Sequence, residues 1–210
     1  MPSGVVEAVR LRRAQVARAA EVLARAFDGD VMYAHLFRDR AESLRVLTRL
    51  FHGVIVYNLA WGEVWTTPEV TGVACWTAPG RLDATWWRSL RTGYALQRAV
   101  AAFRPEARAP FLAGEAHEGQ VHRRLMHGPH WYLWALGVAP ERQGEGVGGT
   151  LLAPMLGRAD AEGLPCYLET QTEANVAFYA RRGFEVLAAD ELPGQPVSVP
   201  MWYMARDPRA

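Results

Sequence analysis

The sequence predicts an α/β fold, and three observations carry that reading. Short runs with apolar residues at every second position recur along the chain. Segments with apolar residues every three or four positions alternate with them. A strand, a glycine-rich loop and a helix then follow one another between residues 131 and 162. At 210 residues, half of them apolar and 21% charged, the chain has the length and balance of one well-cored soluble domain, so 1–210 is read as a single unit.

The elements follow in order. Val5 to Leu11 alternates as a half-buried strand, and Ala14 to Phe27 places Val16, Ala20, Leu23 and Phe27 at helical spacing. A second helix is predicted from Ala41 to Leu59. Glu63 to Thr66 and Thr71 to Trp76 read as a hairpin turning near Pro68. Leu82 to Met126, rich in Ala, Arg, Leu and Trp, is read as a helical insertion or lid broken at Pro105 and Pro110. Trp131 to Val138 is a buried strand, Gly144 to Gly149 a glycine loop, and Thr150 to Glu162 a helix ending at Gly163. Cys166 to Thr170 is a strand and Asn175 to Arg182 a short helix stopped by Gly183. Phe184 to Leu187 and Val199 to Ala205 are closing strands.

Composition excludes several classes. The formal net charge of +1 offers no field to gather nucleic acid or an anionic membrane. No stretch approaches the roughly 20 apolar residues of a membrane span. Met1 to Arg13 lacks an apolar block with a cleavage site, so a cytoplasmic protein is expected. Cys75 and Cys166 each sit in an apolar run and read as core residues rather than a disulfide or metal pair. All 23 basic residues are arginine, which rules out a lysine Schiff base and a Walker phosphate lysine.

The segment from Arg142 to Gly149, Arg-Gln-Gly-Glu-Gly-Val-Gly-Gly, lies between a strand and a helix. Free backbone N–H groups and the positive end of a helix dipole converge there, which suits a phosphate. Gly144, Gly146 and Gly149 also satisfy the dinucleotide pattern G-x-G-x-x-G, with Glu169 where a ribose-binding acid would stand. Context argues against that reading. Only 41 residues follow Glu169, and Ala139 to Gln143 separate the strand from the first glycine. A glycine-rich turn with no ligand is the bland alternative.

Leu136-Gly137-Val138-Ala139-Pro140 with Gln143-Gly144-Glu145-Gly146-Val147-Gly148 resembles the acetyl-CoA signature of the GNAT superfamily of N-acetyltransferases. Leu168-Glu169-Thr170, Asn175-Val176-Ala177-Phe178-Tyr179 and Arg182-Gly183-Phe184-Glu185 extend the resemblance over Trp131 to Val186. A weaker likeness to the puromycin N-acetyltransferases of bacteria rests on Ala8 to Leu11, Trp65 to Pro68 and Trp202 to Arg206, and does not fix the substrate. The resemblance implies a mixed, mostly antiparallel sheet flanked by helices. It implies a donor, acetyl-CoA, whose pantetheine arm enters between the strands at Leu136–Val138 and Tyr167–Glu169. Leu136, Gly137 and Val138 would meet that arm with main chain. The N–H groups of Gln143, Gly144, Glu145, Gly146, Val147 and Gly148 would hold the pyrophosphate, Asn175 would hydrogen-bond the arm, and Arg142, Gly149, Phe178 and Tyr179 would complete the site.

The chemistry then needs few groups and no metal. An amine attacks the thioester, a backbone N–H such as that of Val138 steadies the oxyanion, and a base takes the amine proton. Glu169, at a strand end, is the candidate base; its plain alternative is a polar strand end or cap partner. Tyr179, one turn into its helix, is the candidate acid for the departing thiol, which the resemblance also implies; otherwise it packs. His117, His122, His127 and His130 lack the carboxylate or cysteine spacing of a metal set and read as a solvated or substrate-lining helix face. Trp86, Trp87 and Tyr94 are read chiefly as core, with an aromatic wall for the acceptor as the second reading. The expected function is acetyl transfer to a primary amine of a small molecule in a ternary complex. A silent acyl-CoA sensor and a protein N-acetyltransferase are the alternatives, and the pattern leaves a monomer or homodimer open.

Overall fold

The computed structural model describes residues 7–82 and 85–209; Val5 and Val6 of the expected first strand lie outside them. In chain order the elements are β1 (Val9–Arg10), α1 (Val16–Ala26), α2 (Arg40–Trp61), β2 (Gly62–Thr66), β3 (Gly72–Thr77), α3 (Trp86–Arg91), α4 (Ala95–Val100) and α5 (Pro105–Leu125). Then come β4 (Trp131–Val138), α6 (Val147–Glu162), β5 (Cys166–Thr170), α7 (Glu173–Ala180), β6 (Glu185–Glu191) and β7 (Pro200–Arg206). The strands form one sheet in the order β1-β2-β3-β4-β5-β7-β6. Every neighbouring pair is antiparallel except β4 with β5. The sheet is therefore mixed and mostly antiparallel.

Strand periodicity divides the core into two layers. Along β5, Cys166 and Leu168 pack with α6 residues such as Leu151, Leu152 and Met155, while Tyr167 between them joins the cluster built by α1, α2 and α5. The same alternation turns Glu169 toward the α5 side. Cys75 and Cys166 fall in opposite layers as free buried thiols, and burial pushes the Cys166 thiol up to about 12. Among the described residues no helix is long and apolar enough to cross a membrane.

Several expectations are corrected. Pro110 does not break the insertion: α5 runs through it, because Pro105 takes the first helical position and the Phe103–Phe111 stack, with centroids 4.5 Å apart, holds the turn between them. Trp86 and Trp87 stack on each other at 3.7 Å and are 60% and 64% exposed, so they belong neither to the core nor to an acceptor wall; Tyr94 is exposed beside them. Helix α6 begins at Val147 rather than Thr150, since Gly146 at φ +82° makes the turn that admits the helix. Helix α7 begins at Glu173, capped by Thr172 Oγ1, which accepts from Asn175 N at 3.2 Å.

An ion pair ties α6 to strand β7. Arg206 on β7, 4% exposed, meets both carboxylate oxygens of Asp160 on α6 at 2.7 and 2.8 Å. The hydrogen-bonded guanidinium holds the Asp160 carboxyl down at about 2. A depressed folded-state pKa means that the stabilisation is complete above the ordinary aspartate range and is lost as pH falls toward about 2. Asp160→Ala strands the Arg206 charge and is expected to cost about 3 kcal/mol in a denaturant melt at neutral pH.

Candidate active site

Strands β4 and β5 run together for only two residue pairs, Trp131 with Cys166 and Tyr132 with Tyr167. Past that point β4 stays on β3 as far as Val138 opposite Gly72, while β5 follows β7 through Glu169 opposite Tyr203. A wedge opens between them. The cause is local: register on β3 steps from Cys75↔Ala135 to Trp76↔Leu133, leaving Trp134 as an extra residue. Trp134 and Ala135 then both associate with the α1/α2/α5 layer, and the bulge adds twist that carries β4 away from β5.

The wedge is lined by main chain. Ala139 N donates to Thr71 O at 2.8 Å, so by strand alternation Val138, and Leu136 before it, direct their N–H and C=O away from β3 and into the wedge. Gln143 Nε2 donates to Val138 O at 3.1 Å. Gly137 permits this placement: a β-carbon there would lie 2.8 Å from Leu23 and 2.9 Å from Ala26, so only glycine lets α1 pack on β4.

Three cavities meet along this line. The outermost, of about 570 Å³, is bordered by Leu136, Gly137, Val138, Arg142, Gln143, Gly144, Gly146, Val147, Gly148, Asn175, Phe178 and Tyr179. Of the residues predicted for the donor site, Glu145 and Gly149 do not line it. Glu145 turns to Arg142 Nε at 2.7 Å, and the Arg182 guanidinium lies against Gly149. The innermost cavity, about 290 Å³, lies under α5 between Phe27, Phe51, Phe111, Trp134 and three carboxylates, Glu115, Glu118 and Glu169. A junction of about 70 Å³ joins the two and is lined by both Glu169 and Tyr179. The two predicted chemical residues thus border one small space.

Their electrostatics differ. The Glu169 side chain is 6% exposed, and burial raises its pKa to about 7 although the Tyr132 and Tyr167 hydroxyls pull the other way. The Tyr167 hydroxyl biases Glu169 without completing a hydrogen bond. Burial also raises Glu115 to about 7 and lifts Glu118, which feels Glu115 and Glu169 as well. Glu118 Oε1 is closed off from solvent and has no hydrogen-bond partner among the described residues. Burial raises the Tyr179 phenol, whose ring packs edge-on to Phe178 and Phe184 at 5.1 and 5.7 Å.

The histidines separate. His122 borders the inner cavity and pairs with His130, whereas His117 Nε2 meets Asp190 at 2.9 Å and His127 is exposed. Among the described residues no group of three or more His, Cys, Asp or Glu is arranged to hold a metal.

The profile of the acetyltransferase (GNAT) family matches residues 93–184. That segment, from the loop before α4 to the start of β6, is similar to a GNAT acetyltransferase domain. The match agrees with a likeness to an uncharacterized N-acetyltransferase of Schizosaccharomyces pombe, 27% identical over 209 residues that cover 96% of this chain and 83% of that protein. Two solved structures share the GNAT fold nearly end to end. A Corynebacterium glutamicum structure described as histone acetyltransferase HPA2 and related acetyltransferase gives a TM-score of 0.69 at 21% identity, over 98% of this chain and 97% of that one. Arylalkylamine N-acetyltransferase 2 of Aedes aegypti gives 0.62 at 11%, over 98% and 100%.

Sequence reasoning missed part of the candidate site. Ala26, Phe27, Asp30, Arg181 and Arg182 border the outer cavity, and Tyr33, Glu115, Glu118, Tyr132 and Trp134 the inner one. One signal was available: Glu115, Glu118 and His122 are three and four residues apart, a polar stripe on one face of a helix. Phe27 and Tyr33 carry none, since their place depends on how the turn after α1 folds over the sheet.

Proposed function

We propose that this enzyme transfers an acetyl group from acetyl-CoA to the primary amine of a small cationic molecule with an apolar body, by direct attack in a ternary complex. The observation that carries the reading is the junction bordered by Glu169 and Tyr179, which lies between a wedge edged by the main chain of β4 and a pocket lined by both apolar side chains and carboxylates. The wedge suits a pantetheine arm, and the space at Gly144 and Gly146, where a β-carbon would meet nothing within 4 Å, suits the pyrophosphate beside the N-terminus of α6. An unpaired buried carboxylate is costly, so Glu118 favours a positively charged acceptor.

In this reading Glu169 takes a proton from the bound ammonium, the freed lone pair attacks the thioester carbonyl, and Val138 N–H supports the oxygen that gains charge. Tyr179 then gives a proton to the departing thiolate and regains one, directly or through water, from the acylated nitrogen, which sheds its second proton to become the amide. Helix α5 acts as the cover of the pocket, which favours a small solute over a protein segment. The Aedes aegypti relative, named for arylalkylamines, fits the aromatic walls. Two free thiols fit a reducing, cytoplasmic setting.

The test is calorimetric titration with acetyl-CoA, with NADH as control, followed by thiol release across arylalkylamines, alkyl diamines and puromycin. Binding with amine-dependent release supports the reading. Binding without release favours the silent sensor, and failure to bind acetyl-CoA sinks it. Tyr179→Phe is expected to bind acetyl-CoA normally and lower kcat by roughly 10²-fold, the lower part of the range for a lost acid; stopped thiol-release assays at saturating donor check this.

A further inference from the structure

The inner pocket holds a second arrangement that the transfer just described does not use. His130 Nδ1 lies 2.7 Å from Gly128 O, which can only accept, so Nδ1 carries the proton. A neutral His130 then presents a bare Nε2. His122 Nε2, 2.7 Å from it, must be the donor. Neutral His122 is left with no proton on Nδ1, the atom that faces Glu169 Oε1 at 3.8 Å. Burial keeps both rings neutral near pH 7, with His122 pushed down to about 3 and His130 also lowered. The His122 ring is further clamped by stacking on Tyr167 at 4.0 Å.

We propose that His122 is a positioning residue for the transfer: His130 fixes its tautomer so that a bare Nδ1 faces Glu169 from 3.8 Å, a small side-chain shift away from accepting a hydrogen bond from the protonated carboxyl, and has none to offer the carboxylate. The proposal rests on Glu169 being the base. Such a neighbour strengthens the base, because it stabilises the form that exists after the proton has moved. The other groups around Glu169 do not supply this. Glu115, Glu118 and Arg123 reach the pocket from α5, Tyr132 faces it from β4, and Tyr167 and Tyr203 approach from β5 and β7. The acids repel the carboxylate, the Tyr132 and Tyr167 hydroxyls favour its charged form, and Tyr203 donates instead to Asp190 at 2.8 Å. The bare nitrogen adds the acceptor that they lack. No bond to histidine forms or breaks: the amine N–H breaks, a Glu169 O–H forms, and that proton leaves with solvent when the pocket opens.

The first test needs no turnover. Two-bond ¹⁵N–¹H correlation on the wild-type protein at pH 7 should show His130 protonated on Nδ1 and His122 on Nε2. A proton on His122 Nδ1 overturns the proposal. The second is the pH profile of kcat/KM. His130→Phe removes the acceptor and frees His122 to present Nδ1–H to the carboxylate, so the acidic limb should move down by about one pH unit and the plateau should fall. His130→Gln, whose amide oxygen can still accept, should restore the limb. An unmoved limb in His130→Phe overturns the proposal. Full turnover in Glu169→Gln with the expected tautomers would instead sink the assignment of the base, so the two failures are told apart.

Discussion

Glu169→Gln is expected to lower kcat/KM for the amine by about 10²- to 10⁴-fold, the span associated with a positioned general base, while acetyl-CoA binding measured by calorimetry stays unchanged. Glutamine keeps the volume and the neighbouring tyrosine contacts, so a folding defect is not expected. The wild-type pH profile provides an independent check. A base must be unprotonated to work, and burial raises Glu169 to about 7, so kcat/KM should fall as pH drops below about 7 and level off above it. In the variant that limb should vanish. A variant with full activity and an unchanged limb would move the base elsewhere in the pocket.

Gly146→Trp is expected to weaken acetyl-CoA binding by at least about 100-fold, equivalent to about 2.7 kcal/mol. Gly146 stands at φ +82° at the mouth of α6, and the space beyond its α-carbon is open. An indole there fills the place assigned to the pyrophosphate and adds about 1–2 kcal/mol of backbone strain. Gly157→Trp is the control, because Gly157 lies on the exposed face of the same helix with nothing within 4 Å of a β-carbon. Normal binding by both variants would move the donor's anionic end away from this loop.

The fold was most legible where periodicity and chain-breaking residues agreed. The strands Trp131–Val138 and Cys166–Thr170 have the expected ends, because each is an apolar run closed by Pro, Gly or a capping threonine. The glycine loop was equally plain, since four glycines in six residues have few other uses. The bulge at Trp134 was not legible: bulges are set by register against a distant strand, here β3, and nothing in Leu133-Trp134-Ala135 marks it. Trp86 and Trp87 misled for a related reason. Helical spacing toward Tyr94 suggested a shared, covered face, but α3 ends at Arg91, before Tyr94, and leaves these rings in solvent. On the acceptor side the outcome was mixed. Glu169 followed from its strand, whereas Glu115 and Glu118 become meaningful only once α5 is laid across the β4–β5 wedge.

The two residue pairs that join β4 to β5 have a mechanical consequence. Strands β1 to β4 form one plate and β5 to β7 another, and a seam of two rungs is a weak stitch between them. A donor threaded into the wedge would serve as a missing strand, and part of the molecule's rigidity would then be lent by its own substrate. Amide exchange should then be fastest along the seam in the resting enzyme and slow there when the donor is in place, with the melting temperature rising as donor concentration rises. Catalysis and cohesion would share one set of backbone groups, and product release would return the protein to its looser, divided sheet.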